Sequence, residues 1–293
     1  MKENERKLRF NFFDVIIIAA VVLAVAAALL LRNRSQGNDV LSGREDLPPM
    51  RYTLELRGAA AAAGDCFEVG GEVWNSATNE SLGTLVDMKC EPYVDRSYSE
   101  ARGEYVEYQV EDLCVLTLVI ENGGKIEKGT VTIGTVEARI GAAVYVKRLG
   151  FAGTGYIIAV DTMGADNTVE PAVGKGDTTI TYLAYCDDVR SYTTDACHVG
   201  DVFYSDGGAI LGTVTDVSLE PYEMYLFDRD GSVVKKERPE RYRMIVTLEA
   251  RGMASEHDYY LDETQELRIG SWFSVRSQYI QTSFTVADIL GAA

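Results

Sequence analysis

Histidine is nearly missing from this sequence: His198 and His257 are the only two in 293 residues. His198 stands beside Cys197, but no second such pair accompanies them, so a structural or exposed role is preferred over metal ligation. There is no GxSxG, HExxH or Walker-type phosphate loop, and Gly150–Gly155 (Gly-Phe-Ala-Gly-Thr-Gly) is too weak a glycine pattern to cradle a nucleotide. Hydrolase and transferase chemistry is therefore not expected, and neither is a metal or other cofactor. Cysteine is scarce too. Cys66, Cys90, Cys114, Cys186 and Cys197 include no CxxC pair and lack the density of a disulfide scaffold. Cys114 lies in an apolar run and reads as a small buried hydrophobe. Cys66 and Cys197 fall at nearly equivalent places in an internal repeat, so the spacing permits a bridge between them.

Positive charge is short as well. Residues 1–34 hold six Lys/Arg against three Asp/Glu, which leaves 22 Lys/Arg against 42 Asp/Glu in the rest of the chain. Such an acidic surface repels nucleic-acid phosphate and anionic headgroups at long range, so no nucleic-acid partner is expected. Long segments with a period near 3.6 are also lacking outside the N-terminus, while valine, tyrosine and threonine abound. The expected class is mainly β.

What is present begins with an apolar run. Val15–Leu31 is seventeen residues without a polar one, extended backwards by Phe12 and Phe13 across Asp14. Twenty residues from Phe12, at a rise of about 1.5 Å, make roughly 30 Å of helix, enough to span a bilayer. We expect a transmembrane helix at 12–31, with residues 1–11 in the cytoplasm because Lys2, Arg6, Lys7 and Arg9 make that flank the more basic. A cleaved signal peptide competes, since the alanines at 24 and 26–28 suit a peptidase; the continuation through Leu29, Leu30 and Leu31 favours an uncleaved anchor. Residues 32–50 turn polar and read as a tether.

Beyond the tether one unit occurs twice. Leu82–Tyr93 (Leu-Gly-Thr-Leu-Val-Asp-Met-Lys-Cys-Glu-Pro-Tyr) and Leu211–Tyr222 (Leu-Gly-Thr-Val-Thr-Asp-Val-Ser-Leu-Glu-Pro-Tyr) share seven of twelve residues without a gap. Gly83 and Gly212 suit a bend or close backbone approach, the residues after them suit a short strand, and Pro92 and Pro221 place Glu91 and Glu220 at a strand end or edge. Arg139-Ile140-Gly141 recurs as Arg268-Ile269-Gly270 at the same offset of 129 residues. A whole domain has therefore been copied. The expected architecture is two tandem small β-barrel-like domains, 51–163 and 179–293, joined by a linker at 164–178. Alternation at Arg51–Arg57 and Arg243–Ala250 marks half-buried strands, Leu113–Ile120 reads as a strand covered on both faces, and Asn122-Gly123-Gly124 reads as a hairpin turn.

Asn11-x-x-Asp14 ahead of a single span, then a tether and a β-rich body with Val199-Gly200-Asp201, Leu-Gly-Thr-Val and Asp-Val, resembles the uncharacterised bacterial membrane-anchored family known as domain of unknown function 4330. The first body departs from that pattern with Gly71 where the second has Asp201. The order of anchor, Gly-Asp and later strands is also similar to the mammalian-cell-entry barrels of bacterial envelope lipid transport, which implies ring-forming oligomers and lipid passage.

The repeated motif supplies the candidate site residues: Leu82, Gly83, Thr84, Asp87, Glu91, Pro92 and Tyr93, with Leu211, Gly212, Thr213, Asp216, Glu220, Pro221 and Tyr222. Asp87 with Glu91, and Asp216 with Glu220, would share a strand face and could act as acid and base or as cation ligands. Turn capping or exposed strand polarity is preferred, since no third ligand recurs at fixed spacing. Asp228-Arg229-Asp230-Gly231 before Glu237 partly fits a calcium loop but reads better as a hairpin turn. Tyrosines 93, 98, 105, 108, 222, 225, 259 and 260 suit either a binding surface or packing onto a small core. The resulting expectation is a non-enzymatic single-pass protein of the cell membrane that presents its body outside the cytoplasm for binding or scaffolding. Its partners would be the bilayer, through the N-terminal helix, and an envelope protein. The alternative is a homo-oligomeric carrier passing lipid or other apolar cargo.

Overall fold

The structure, a computed structural model, describes residues 47–127, 130–164 and 173–293. Pro48–Ala293 form one compact unit. The expected span and cytoplasmic segment lie outside the described residues, as do most of the tether and residues 165–172 of the linker. No described helix is long and apolar enough to cross a membrane. The tether ends sooner than expected, because Pro49 and Met50 are already paired with Gly123 and Asn122. Met50 is buried in the first core, which draws the chain into strand there.

Two eight-stranded sheets make up the unit. The first holds β1 (Pro49–Ala60), β2 (Glu72–Asn75), β3 (Ser81–Ser99), β4 (Glu104–Glu127), β5 (Thr130–Ile133), β6 (Val136–Glu137), β7 (Ala143–Arg148) and β8 (Phe151–Asp161). The second holds β9 (Thr178–Val189), β10 (Val202–Ser205), β11 (Ile210–Phe227), β12 (Val233–Ala254), β13 (Tyr259–Leu261), β14 (Gln265–Leu267), β15 (Trp272–Arg276) and β16 (Gln281–Ala292). Every pairing in the first sheet has a counterpart eight strands later in the second. In each, six strands pair in a cycle that returns to its start: β1-β8-β7-β2-β3-β4 and back to β1, then β9-β16-β15-β10-β11-β12 and back to β9. The duplication read from the sequence is thus a duplication of connectivity.

A second symmetry lies inside each copy. Exchanging β1 with β4, β2 with β7 and β3 with β8 leaves all six pairings of the cycle unchanged. The turns obey the same exchange. Gly70 N–H donates to Leu85 O, Leu85 N–H to Gly71 O, and Gly71 N–H to Glu68 O; the set recurs at Gly141 with Ile157, Gly200 with Val214 and Gly270 with Val286. Each of these glycines has a φ between 85° and 98°, as the third residue of a type II turn requires. The described residues therefore contain four copies of one strand–turn–hairpin unit, where the sequence reading finds two.

Each sheet encloses its own core. Tyr52, Leu54 and Leu56 of β1 alternate inward and meet Ile120, Leu118 and Leu116 of β4; Ile180, Tyr182 and Ala184 of β9 meet Ala250, Leu248 and Val246 of β12. Fully burying a side chain of this size contributes about 1.5–3 kcal/mol. Leu113–Ile120 is buried on alternate residues and only half-buried on the others, so it is not covered on both faces. The two buried tyrosines are satisfied in the same way, Tyr52 donating to Leu82 O at 3.1 Å and Tyr182 to Leu211 O at 2.8 Å. Burial pushes both phenols upward.

Two local expectations are corrected. Strands β3 and β11 do not stop at Pro92 and Pro221 but run on to Ser99 and Phe227. Both prolines lie next to register shifts, on stretches paired only with β4 or β12, so no ladder bond is lost for want of an amide hydrogen. Nor does the chain turn at Asn122-Gly123-Gly124. β4 continues to Glu127, because Pro49 and Met50 pair with it on one side and β5 takes over from Gly124. The turn expected at Asp228-Arg229-Asp230-Gly231 does join β11 to β12, with Phe227 opposite Val233.

The two sheets are locked together at one of the four turns. Ile140 N–H donates to Tyr279 O at 2.7 Å, Gln281 N–H donates to Ile140 O at 2.8 Å, and the Ile140 side chain packs against the second core. Arg139, only 8% exposed, donates from Nε to Ser277 O at 2.8 Å. The matching apolar residues of the other turns, Val69, Val199 and Ile269, are all more than half exposed.

Candidate binding cleft

Beside this lock the two sheets leave adjoining hollows of about 630 and 600 Å³, sharing Glu55, Arg57, Arg190 and Arg241. Clefts where two bodies meet are favoured places for ligands. This one gathers arginines in a chain that is otherwise strongly acidic. Arg57 comes from β1, Arg190 follows β9, and Arg238 and Arg241 come from β12.

A kink present in both sheets delivers the β12 pair. Pro92 pairs with Cys114 and Val94 with Gln109, so residues 110–113 stand opposite Tyr93 alone; in the second sheet 238–241 stand opposite Tyr222 alone. Asp112 and Glu240 occupy the same left-handed position in the two kinks, at φ 60° and 58°. The first kink reads Val-Glu-Asp-Leu and the second Arg-Pro-Glu-Arg. The same kink thus carries apolar ends in one body and guanidinium groups in the other. Extra residues inserted into a strand re-aim side chains in this way.

Asp188 organises the cluster. It sits at φ 60° where the first sheet has Gly58 at φ 68°, and a left-handed aspartate is strained relative to glycine. Its carboxylate accepts from Arg238 at 2.7 Å and lies 3.6 Å from Arg241 Nε, while its carbonyl accepts from Arg241 Nη1 at 2.8 Å. Asp187 is engaged by Arg243, whose Nη2 lies 2.8 Å from Oδ2. Arg57 pairs with Glu55 at 3.5 Å and lies 5.9 Å from the centre of the Tyr93 ring. Arg96 bridges Glu107 and Glu240, each at 2.7 Å.

Arg190 differs from the rest. It is half-buried, and its guanidinium makes no hydrogen bond or ion pair among the described residues, although its carbonyl accepts from Thr193 and Thr194. Burial first, then the positive charges of Arg241 and Arg57, pulls it below the ordinary arginine value, with Glu55 opposing. Three guanidinium groups from separate segments thus face a common space.

The motif residues have other work. Leu82 and Leu211 are core, and Gly83 and Gly212 lie at φ 130° and 141° against the backbone of the next strand. Thr84 is exposed, Thr213 half-buried, and Asp87, Glu91, Asp216 and Glu220 are exposed. Asp87 accepts from the Met88 amide and Glu91 pairs with Lys89. Among the described residues no group of three or more His, Cys, Asp or Glu could hold a metal ion. Only Glu91, Pro92 and Tyr93 reach the cleft; Glu220, Pro221 and Tyr222 do not line it. Tyr105 lines the cleft too, and it packs edge-to-face on Tyr98 and reaches Met224 Sδ at 3.9 Å. The arginines are absent from the sequence-based candidates. A signal for two of them was available: residues 235–243 hold five Lys/Arg, an unusual density in so acidic a body.

Asp201 closes its own turn, Oδ2 accepting from the His198 amide at 2.8 Å. In the first body Gly71 stands there, and the Arg148 guanidinium occupies the space beside it.

All five cysteines are free. Cys66 packs on the first core while Cys197 is buried in the second, so the bridge permitted by their spacing is not made. Burial, with the charge of Asp201, pushes the Cys197 thiol up to about 12, and burial with the Cys90 contact pushes Cys114 up to about 11. Ellman's reagent at pH 8 should therefore label Cys90 quickly and leave Cys114, Cys186 and Cys197 unreacted until the chain unfolds. Rapid labelling of Cys197 in the folded protein would contradict its placement.

Residues 175–290 match the family described as a domain of unknown function (DUF4330). No curated protein and no solved structure matches the chain.

Proposed function

We propose that this chain, whose residues 175–290 carry a domain of unknown function 4330, is a non-enzymatic single-pass membrane protein of a bacterial envelope. The apolar segment at 12–31 holds it to the bilayer with residues 1–11 in the cytoplasm. The body is displayed outside, for binding or scaffolding with an envelope partner. Each six-strand cycle is read as a small closed barrel, the form that removes exposed edges from a sheet.

The observation that carries the binding reading is the arginine-lined cleft between two fully cored sheets. Guanidinium groups stay protonated across the physiological range, so they hold charge and do not move protons. That suits binding better than acid–base catalysis. Side chains as large as Tyr52, Tyr182, Phe203 and Phe284 fill the two interiors, which supports binding over passage of apolar cargo through them. A carrier would have to form its conduit by assembly.

Orientation is tested by protease treatment of intact cells stripped of their wall. The body should be cut while an N-terminal fragment stays with the membrane. A body that remains whole while established surface proteins are cleaved refutes the proposal.

A further inference from the structure

We propose that the cleft binds a phosphate group, held by Arg190 with Arg57 and Arg241. This rests on the reading of the cleft as the binding site and names what it takes. The carboxylates that line it are engaged by other groups: Asp187 by Arg243, Glu55 by Arg57, Glu240 by Arg96, Glu91 by Lys89 and Asp95 by Tyr108, while Asp188 Oδ2 accepts from Arg238 and its Oδ1, which accepts no hydrogen bond, lies 3.6 Å from Arg241. The Arg190 guanidinium makes no hydrogen bond or ion pair among the described residues, Glu55 acting on it only at longer range, and it is half-buried where its charge is poorly solvated. An unpaired guanidinium in that position is costly unless an anion arrives.

The geometry favours phosphate over carboxylate. A carboxylate is planar and is satisfied by one bidentate arginine. Here the arginines come from three different chain segments, β1, the residue after β9 and the kink of β12, and line one space between the sheets. Such an arrangement suits a tetrahedral anion with three or more acceptor oxygens and more than one negative charge. Tyr93, Tyr105 and Tyr192 line the same walls, and they offer hydroxyl donors and ring faces to whatever bears the phosphate.

The phosphate could belong to a soluble molecule or to a lipid headgroup, and two probes separate them. Pyrophosphate and short-chain dihexanoyl phosphatidic acid are titrated calorimetrically into the full chain in non-ionic detergent, with acetate as the carboxylate control. At least one phosphate probe should bind with a Kd below about 1 mM. Arg190→Gln should weaken it about tenfold without lowering the unfolding midpoint, and Arg190→Lys should recover part of the loss. The tighter of the two probes identifies the source. Wild-type protein that binds neither, an unchanged Kd in Arg190→Gln, or acetate binding as tightly as phosphate would each overturn the proposal. Should Arg190→Gln lower the unfolding midpoint, Arg57→Gln is read in its place by the same criteria. A chain that is cleaved on the cell surface but takes up no phosphate refutes the ligand and leaves the envelope role standing. A body protected from protease refutes the location and leaves the titration valid.

Discussion

Gly83→Ala is expected to lower stability by roughly 4 kcal/mol, and Gly212→Ala by somewhat less. Both glycines sit in the left-handed half of backbone space, at φ 130° and 141°. In addition, a Cβ at Gly83 would stand 2.4 Å from Glu121 O, and one at Gly212 2.9 Å from Glu249 O. Those carbonyls belong to the long central strands β4 and β12, which cannot retreat without giving up pairing on their other side. Chemical denaturation of each variant measures the effect, with Thr84→Ala as the control because Thr84 is the exposed neighbour in the same motif. The control should change stability by no more than about 0.5 kcal/mol. A Gly83→Ala variant no weaker than the control would mean that β3 and β4 do not approach as described.

Arg139→Met should cost roughly 2 kcal/mol and, more tellingly, split one unfolding transition into two. The estimate is kept low because Glu137, the carboxylate partner of Arg139, is 56% exposed and water screens that pair. The bonds from Arg139 to Ser277 O and Thr130 Oγ1 carry the rest. Arg268→Met is the matched control. It alters the same Arg-Ile-Gly triplet in the second body, where Arg268 is 65% exposed and pairs with Glu266. Scanning calorimetry should show a single transition for the wild type and for Arg268→Met, and two for Arg139→Met. Equal behaviour of the two variants would show that the lock at Arg139 does not couple the sheets.

The contrast between these triplets marks a limit on what a sequence reveals. Arg139-Ile140-Gly141 and Arg268-Ile269-Gly270 are identical, yet Ile140 is packed against the neighbouring core and Ile269 is 62% exposed. The difference comes from what lies opposite, which no local pattern encodes. The offset of 129 residues was legible because both motif and triplet obeyed it, and it predicted the matching connectivity of the two sheets. The inner symmetry was hidden: Leu82-Gly83-Thr84-Leu85 and Thr154-Gly155-Tyr156-Ile157 hold equivalent places in the turn hydrogen bonding but share only the glycine. The prolines misled because a strand paired on one side tolerates a missing amide hydrogen, whereas one paired on both sides does not. The basic stretch 235–243 marked Arg238 and Arg241, but the meeting of Arg57, Arg190 and Arg241 was illegible, because they converge only after two sheets have folded and docked.

The docking itself has a consequence for recognition. Because Ile140 is bonded to Tyr279 and Gln281 through its backbone, the spacing between Arg57 on one side and Arg190 and Arg241 on the other is set while the chain folds. A visitor to that gap meets a preorganised mould and pays little entropy for domain closure. Affinity there should respond to the shape of the guest far more than to any slack in the host.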